Sequence, residues 1–411
     1  MTRSSRFPLV FMILISLTPI LSVHFPRFLA FWPLIIGLGS CLWLTFVAKE
    51  KLIFSKTYFI CVGIISALCL ISTLWSISPE NAFEDAIKAS AILWLGGLLV
   101  CACKTINTES LKPHLWLFPA AVTIAALICS FDLATDMPIY RILHGKIDTD
   151  TFNSSVMNRG IIFIILSFFL SPLFTVALDK KRKIIILTLL SISTAIVLTL
   201  TQSQTAQLCF ILGIVLLMVF PSKYQISYHI LLGLISIALI LTPWIAHTLF
   251  GALAVNTDIT QSNSLIQNAY IGNRLEIWDF VTAYAMNNPL YGYGIEATKY
   301  VPVFDHGYMY QTEASILHPH NFSVQIWIEF GLIGIFMTVI MLKLVINKIS
   351  AIQEFHQKKV ITVFLILLLL VSSMTYGLWQ GWWLGTYVFM IALSTLFIEK
   401  QQPTTHKNEN N

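Results

Sequence analysis

The sequence predicts an all-α polytopic membrane protein, with about twelve transmembrane helices and one large extracytoplasmic loop carrying short helices of its own. Three observations predict it. The 411 residues are 56% hydrophobic and only 11% charged, where a soluble domain carries about 25% charged residues. Apolar runs of roughly 17–25 residues, the length that crosses a bilayer, recur from end to end. Positive charge alternates in density between successive loops, as it does when loops lie on opposite sides of a membrane. Residues 1–411 therefore read as a single integral membrane domain.

In chain order the spans fall near 8–23, 28–48, 55–75, 87–103, 114–133, 156–177, 184–200, 204–220, 227–250, 319–342, 358–376 and 379–398. The first resembles a secretory signal in length, but Val23-His24-Phe25-Pro26-Arg27 is a poor cleavage site, so it reads as a span. With the amino terminus inside, 18 of the 25 Lys and Arg fall on cytoplasmic segments, among them Lys180, Lys181, Arg182, Lys183, Lys358 and Lys359. The outer side keeps Arg27, Lys88, Arg141, Lys146, Arg159, Arg274 and Lys299. That bias orients the chain with both termini cytoplasmic. It also makes the net charge of +5 a topology signal rather than a nucleic-acid patch. The seven cysteines lie in or at the ends of apolar spans and read as packing residues. Cys101 and Cys103 have no histidine partners at metal-like spacing.

Two outer loops are long: 134–155, and 251–318 between the ninth and tenth spans. A loop of the second kind is improbable unless it works for the protein. Within it, Asn273 is placed to cap a helix from Arg274 to about Met286, with Trp278, Val281, Thr282 and Ala285 on one face. Asn287-Asn288-Pro289 would end that helix, and Tyr291-Gly292-Tyr293-Gly294 reads as an aromatic turn. The polar tail 401–411 reads as disordered and cytoplasmic.

Candidate chemistry collects where the large loop meets the tenth span. His318-Pro319-His320-Asn321 is followed by nine residues, Gly331, two residues and Gly334. The two glycines would let another helix approach closely and so hold the helix that presents His320. A neutral histidine can accept a proton from a hydroxyl, which makes His320 the candidate general base. Pro319 suits the first turn of a helix. Glu329 lies inside the span, where an ionisable group is a functional candidate by default. At 3.6 residues per turn it faces away from His320 and calls for a partner on another helix. The remaining acids, Glu276, Asp279, Glu296, Asp305 and Glu313, show no paired-carboxylate spacing. No His-Glu-x-x-His, Asp-x-Asp or Walker motif is present, and no metal or cofactor is expected.

These residues resemble the signature of the O-antigen ligase and polymerase superfamily of bacterial membrane glycosyltransferases. That signature reads His, then Asn, Ser or Gln, nine residues, Gly, two residues, and Gly, Thr or Tyr. Arg274, Trp278 four residues on, and Pro289-Leu-Tyr-Gly292-Tyr-Gly294 resemble the superfamily's segment ahead of its histidine. One motif departs. Thr201-Gln202-Ser203-Gln204-Thr205-Ala206 carries Gln204 where the superfamily places arginine in a Ser-Arg-Gly-type motif, and Arg159 is the nearest substitute. The resemblance covers the sixth to the tenth span. It implies glycan transfer from undecaprenyl diphosphate to an acceptor hydroxyl, on the periplasmic face of the bacterial inner membrane. Arg274 and Arg159 would clamp the diphosphate, Gln204, His318 and Asn321 would add substrate contacts, and His320 would act as base. The partners implied are the lipid-linked donor, membrane lipid and an acceptor, with no nucleic acid. Three acceptors stay open: lipid A core in a ligase, which is favoured, a growing glycan in a polymerase, or a protein in an oligosaccharyltransferase. The rival from another class is a transporter or flippase of lipid-linked glycan, which would use charged spans, repeats and broken helices.

Overall fold

A computed structural model describes residues 6–146, 153–255, 271–301 and 316–398. Those residues form fifteen α-helices, and no strand occurs among them. Twelve helices coincide with the spans read from the sequence: α1 (Phe7–His24), α2 (Trp32–Leu42, continued by a π turn to Val47), α3 (Lys56–Ser72), α4 (Pro79–Thr105), α6 (Leu117–Ala134), α8 (Asn158–Leu170), α9 (Lys180–Leu200), α10 (Gln204–Val219), α11 (Gln225–Val255), α13 (Phe322–Ser350), α14 (Phe355–Ser372) and α15 (Gly381–Thr395). Three short helices lie between them: α5 (Thr108–Leu111), α7 (Pro138–Leu143) and α12 (Ile271–Ala285). Among the described residues, nine helical stretches are long and apolar enough to cross a membrane, and Trp32–Val47, Gln204–Val219 and α15 are shorter. Much of loop 251–318, with Asp305 and Glu313, and the tail 401–411 lie outside the described residues.

The alternation predicted from the lysines is visible in what meets what. At one end, Ile77 N–H donates to the Tyr293 carbonyl at 3.0 Å, and Trp75 Nε1–H to that of Tyr291 at 3.1 Å. At the same end, Lys299 reaches Asp85 at 3.4 Å. His24 meets Asp132 at 2.6 Å across α1 and α6, and Asp132 also accepts from the Ile139 and Tyr140 amides that begin α7. At the other end, Lys359 Nζ donates to the Met218 carbonyl at 3.2 Å, and Lys223 and Lys359 flank the Phe355 ring. We call these the loop end and the lysine end.

Several expectations need correction. α4 begins at Pro79, not near 87, because proline fits the first helical turn and the turns that follow carry Glu80, Glu84, Asp85 and Lys88 on the polar side of the apolar window. α12 begins at Ile271, so Asn273 sits inside its first turn and is not its cap. The predicted face holds: Val281, Thr282 and Ala285 are buried, with Trp278 half-buried. α13 begins at Phe322 and not at 319, so Pro319 lies outside it.

The two signature glycines also act differently from the expectation. α13 breaks at Gly331, whose φ of +55° and ψ of −148° are not helical. Into the break comes backbone from the segment after α12, not another helix. Leu332 N–H donates to the Pro289 carbonyl at 2.8 Å, and Tyr293 N–H to the Ile328 carbonyl at 2.8 Å. Gly294 N–H donates to the Glu329 carbonyl at 2.9 Å. A Cβ at Gly331 would stand 2.5 Å from the Pro289 oxygen. Gly334 lies just beyond, where a Cβ would meet the Phe330 Cβ at 2.4 Å. The break therefore satisfies carbonyls and amides that an interrupted helix leaves orphaned.

Candidate active site

His318 and His320 lie on an extended lead before α13. Asn321 (φ −151°, ψ 118°) is the N-cap, and its Oδ1 accepts from the amides of Ser323 at 2.9 Å and Val324 at 3.4 Å. Its Oδ1 is thus engaged in capping, in a residue only 8% exposed. His320 holds a φ of +56°. Histidine tolerates that left-handed region better than most residues, but it still costs about 1–3 kcal/mol and persists only where surroundings impose it.

The surroundings that impose it come from the turn between α14 and α15. His320 Nδ1 lies 2.5 Å from the Thr375 carbonyl. A carbonyl only accepts, so Nδ1 carries the proton and Nε2 keeps its lone pair. The His318 ring stacks obliquely on His320, centroids 4.3 Å apart. It packs against Gly377, where a Cβ would meet the His318 ring at 3.0 Å. Gln380 Oε1 accepts from Trp382 Nε1–H at 2.8 Å. That turns the Gln380 amide nitrogen toward His318 Nε2, 3.4 Å away. Behind the lead, the Pro319 carbonyl accepts from Trp278 Nε1–H at 2.7 Å, which ties α12 to the histidines.

The two arginines approach from different helices. Arg274 stands on α12, near enough to His320 and Tyr376 to act on both electrostatically. Arg159 opens α8 and lies over the Trp382 ring, 5.4 Å from its centroid, as a cation–π contact requires. It acts on Tyr376 and on His318. Gly160 permits this placement: a Cβ there would lie 2.8 Å from the Val23 Cα of α1. Gln204 opens α10, which packs on α8 and α14. The contacts just named assemble the cluster through residues 375–382.

Burial dominates the electrostatics. It pushes the His318 imidazolium down to about 3, and His320, Lys299 and Arg159 push the same way. It also lowers His320; the Thr375 carbonyl opposes the shift and Arg274 adds to it. Burial raises the Tyr376 phenol, against the pull of Arg159 and Arg274. The result is a neutral imidazole with a free Nε2, a protonated phenol and two guanidinium groups close enough to act on one another. Such a cluster can hold an anion and accept a proton from a neighbouring hydroxyl.

Glu329 is fully buried and does find its partner off its own helix. Its carboxylate accepts from Trp379 Nε1–H at 2.6 Å and from Gln325 Nε2–H at 2.8 Å. The turn containing Thr375, Tyr376, Gly377, Trp379 and Gln380 was not singled out from the sequence. Its signal was there: three aromatic residues, Tyr376, Trp379 and Trp382, with Thr375 and Gln380, in a short connection between apolar runs.

Fold and site together define a polytopic helical membrane protein with a histidine–arginine cluster at its loop end. The O-antigen ligase family profile matches residues 186–339, from α9 into α13. That range contains Arg274, both histidines and both signature glycines, but neither Arg159 nor the 375–382 segment. The chain is 24% identical over 342 residues to a protein of Rickettsia felis provisionally named a polysaccharide ligase, covering 81% of this chain and 79% of that one. Proteins of Rickettsia conorii and Rickettsia bellii with the same provisional name are 24% and 27% identical, over 81% and 80% of this chain and 78% of each relative. The chain is thus similar to the O-antigen ligase family over residues 186–339, and to these relatives over about four fifths of its length.

Proposed function

We propose that this protein transfers an oligo- or polysaccharide from undecaprenyl diphosphate to an acceptor hydroxyl, on the periplasmic face of the inner membrane, foremost as an O-antigen ligase acting on lipid A core. The observation that carries this reading is the free Nε2 of His320, held neutral beside Arg274. The acceptor O–H gives its proton to that nitrogen while its oxygen bonds to the anomeric carbon. The bond from that carbon to the diphosphate oxygen breaks. The departing diphosphate gathers charge, which Arg274, Arg159 and the Tyr376 hydroxyl would stabilise. His320 contributes the base and the arginines the anion site, and the diphosphate is itself a good leaving group.

A cavity of about 340 Å³ supports a lipid-linked donor. It lies between α10, α11, α13 and α14 and is lined by Leu231, Ile235, Leu239 and Leu369. Trp278 and Asn321, neighbours of Arg274 and His320, also line it, so an isoprenoid chain seated there would deliver its diphosphate to the cluster. The broken helix α13 is the feature a flippase would share, but here its break is bridged by backbone hydrogen bonds from the segment after α12.

The test is to incubate purified protein with undecaprenyl-diphosphate-linked oligosaccharide and, separately, lipid A core, free glycan and peptide acceptors. Mass gained by lipid A core, lost in His320→Ala, is the expected result. Gain by glycan or peptide instead assigns a polymerase or an oligosaccharyltransferase. Movement of the donor across vesicles without covalent transfer overturns the reading.

A further inference from the structure

We infer that Glu329 is a positioning residue for His320, acting through the 375–380 turn without touching the reacting atoms. The connection runs through named bonds. On α13, Glu329 Oε2 accepts from Trp379 Nε1–H at 2.6 Å, and Oε1 from Gln325 Nε2–H at 2.8 Å. That second bond leaves Gln325 Oε1 to accept from the Leu378 amide at 2.8 Å. Two consecutive residues of the turn are thus pinned to α13, one directly and one through Gln325. Three residues earlier the same turn presents the Thr375 carbonyl to His320 Nδ1, and between them Gly377 supports the His318 ring.

The same carboxylate also accepts from the Glu296 amide. Glu329 therefore joins three pieces of chain: α13 itself, the segment after α12 and the last interhelical turn. A helix that only needed filling would hold an apolar residue here, since burying a carboxylate is costly unless its lone pairs are satisfied. The donors on this one come from the turn and the loop, with a single one from its own helix. Satisfying it fixes where the turn stands, and where the turn stands fixes the His320 tautomer. Among the described residues, Arg274 from α12 and His318 beside it act on His320, Lys299 and Arg159 act on His318, and Tyr376 from the turn lies near both arginines.

The kinetic part of the test rests on the proposed function; the chemical part does not. Diethyl pyrocarbonate acylates the unprotonated nitrogen of an imidazole, so its rate at His320, read by mass spectrometry across pH, reports that side chain directly. In Glu329→Gln the new amide opposes an N–H donor with another, and the turn is released. The acid limb of His320 acylation should move to lower pH, because the Thr375 carbonyl bond that favours the protonated ring is lost. The transfer kcat should fall roughly 100-fold, the usual cost of displacing a reacting group by about 1 Å, with the donor KM unchanged. Trp379→Phe, which removes one donor and leaves the carboxylate, should shift the profile in the same direction by less. The double variant should be no worse than Glu329→Gln, as coupled sites require. Trp379→Phe supplies the answer alone should Glu329→Gln fail to insert. Wild-type acylation profiles in the folded variants, even with lower melting temperatures, overturn the inference. Undiminished transfer in His320→Ala would overturn the proposed base while leaving the acylation result to judge Glu329.

Discussion

The loop end and the lysine end use the same residue types in opposite ways. At the lysine end, Arg182 pairs with Asp179 at 3.2 Å and its side chain is 76% exposed. At the loop end, Arg274 and Arg159 are half-buried and turned toward a shared phenol and two histidines. An exposed arginine in an ion pair contributes little beyond orientation in the membrane. A desolvated guanidinium aimed at a space is a ready anion clamp. The difference lies in burial and company, which residue type alone does not reveal.

The largest test of that contrast is His320→Ala. Loss of a general base costs about 10²–10⁴ in rate, and donor binding should survive because the arginines remain. His318→Ala should cost less, since the His318 ring packs on Gly377 and against His320, the proposed base. The pH profile sharpens the same point. Burial lowers His320, so the acid limb of activity should lie below the ordinary histidine value of about 6.5. Stability follows the same sign. Both histidines protonate more readily unfolded than folded, so stability is full above about 6.5 and declines as pH falls below it. A limb above 6.5, or near-wild-type rates in His320→Ala, would remove the histidine from the chemistry.

Next in size is the arginine contrast. Arg274→Ala should reduce transfer by about 10²–10³, the cost of removing one donor from developing charge, and weaken donor binding. Arg274→Lys should recover part, because it keeps the charge and loses the fork. Arg182→Ala should leave transfer unaltered. Equal effects at the two ends, measured with one donor and one acceptor, would make the contrast meaningless.

How much of this was legible beforehand follows from what kind of information each part carries. The spans are written in apolar run length and lysine placement, both local properties, and all twelve fall on observed helices. His320 and Arg274 stood out because motif spacing is also local. The partner of Glu329 was expected off its own helix, but Trp379 could not be named, since fifty residues and a whole helix separate them. Gly331 was read as a packing glycine because spacing cannot tell a smooth helix from a broken one. Only a donor such as Leu332 N–H, bonded to Pro289 instead of its own helix, distinguishes them. Residues 375–382 were passed over because the spans were read through 376 and from 379, so all but Gly377 and Leu378 were taken as membrane helix, whereas the helices stop at Ser372 and resume at Gly381.

The helix break gives the third test. Gly331→Ala must place a Cβ 2.5 Å from the Pro289 oxygen at a φ of +55°. The strain alone is about 1–3 kcal/mol, so a thermal melt in detergent should drop clearly. If the break serves only to seat Pro289 and Leu290, Gly331→Ala should also loosen α12 and reduce transfer. An unchanged melting temperature would mean that α13 runs straight through position 331.

The smallest effect separates a cap from a contact. Asn321 sits between His320 and α13, where the family resemblance made it a substrate ligand, yet its Oδ1 accepts from two amides of the helix it opens. Removing an N-cap costs about 1 kcal/mol, and serine caps nearly as well as asparagine. Asn321→Ala should therefore lower the melting temperature slightly, and Asn321→Ser should restore it. Donor affinity should stay at the wild-type value in both variants, because the proposed anion site is made by the arginines and the capping oxygen is already engaged. Transfer rate should track the melting result, dipping only in Asn321→Ala, where a frayed first turn lets His320 drift. If donor affinity instead falls equally in both variants while stability holds, the side-chain amide is reaching the substrate, and Asn321 belongs with Arg274 in the anion site.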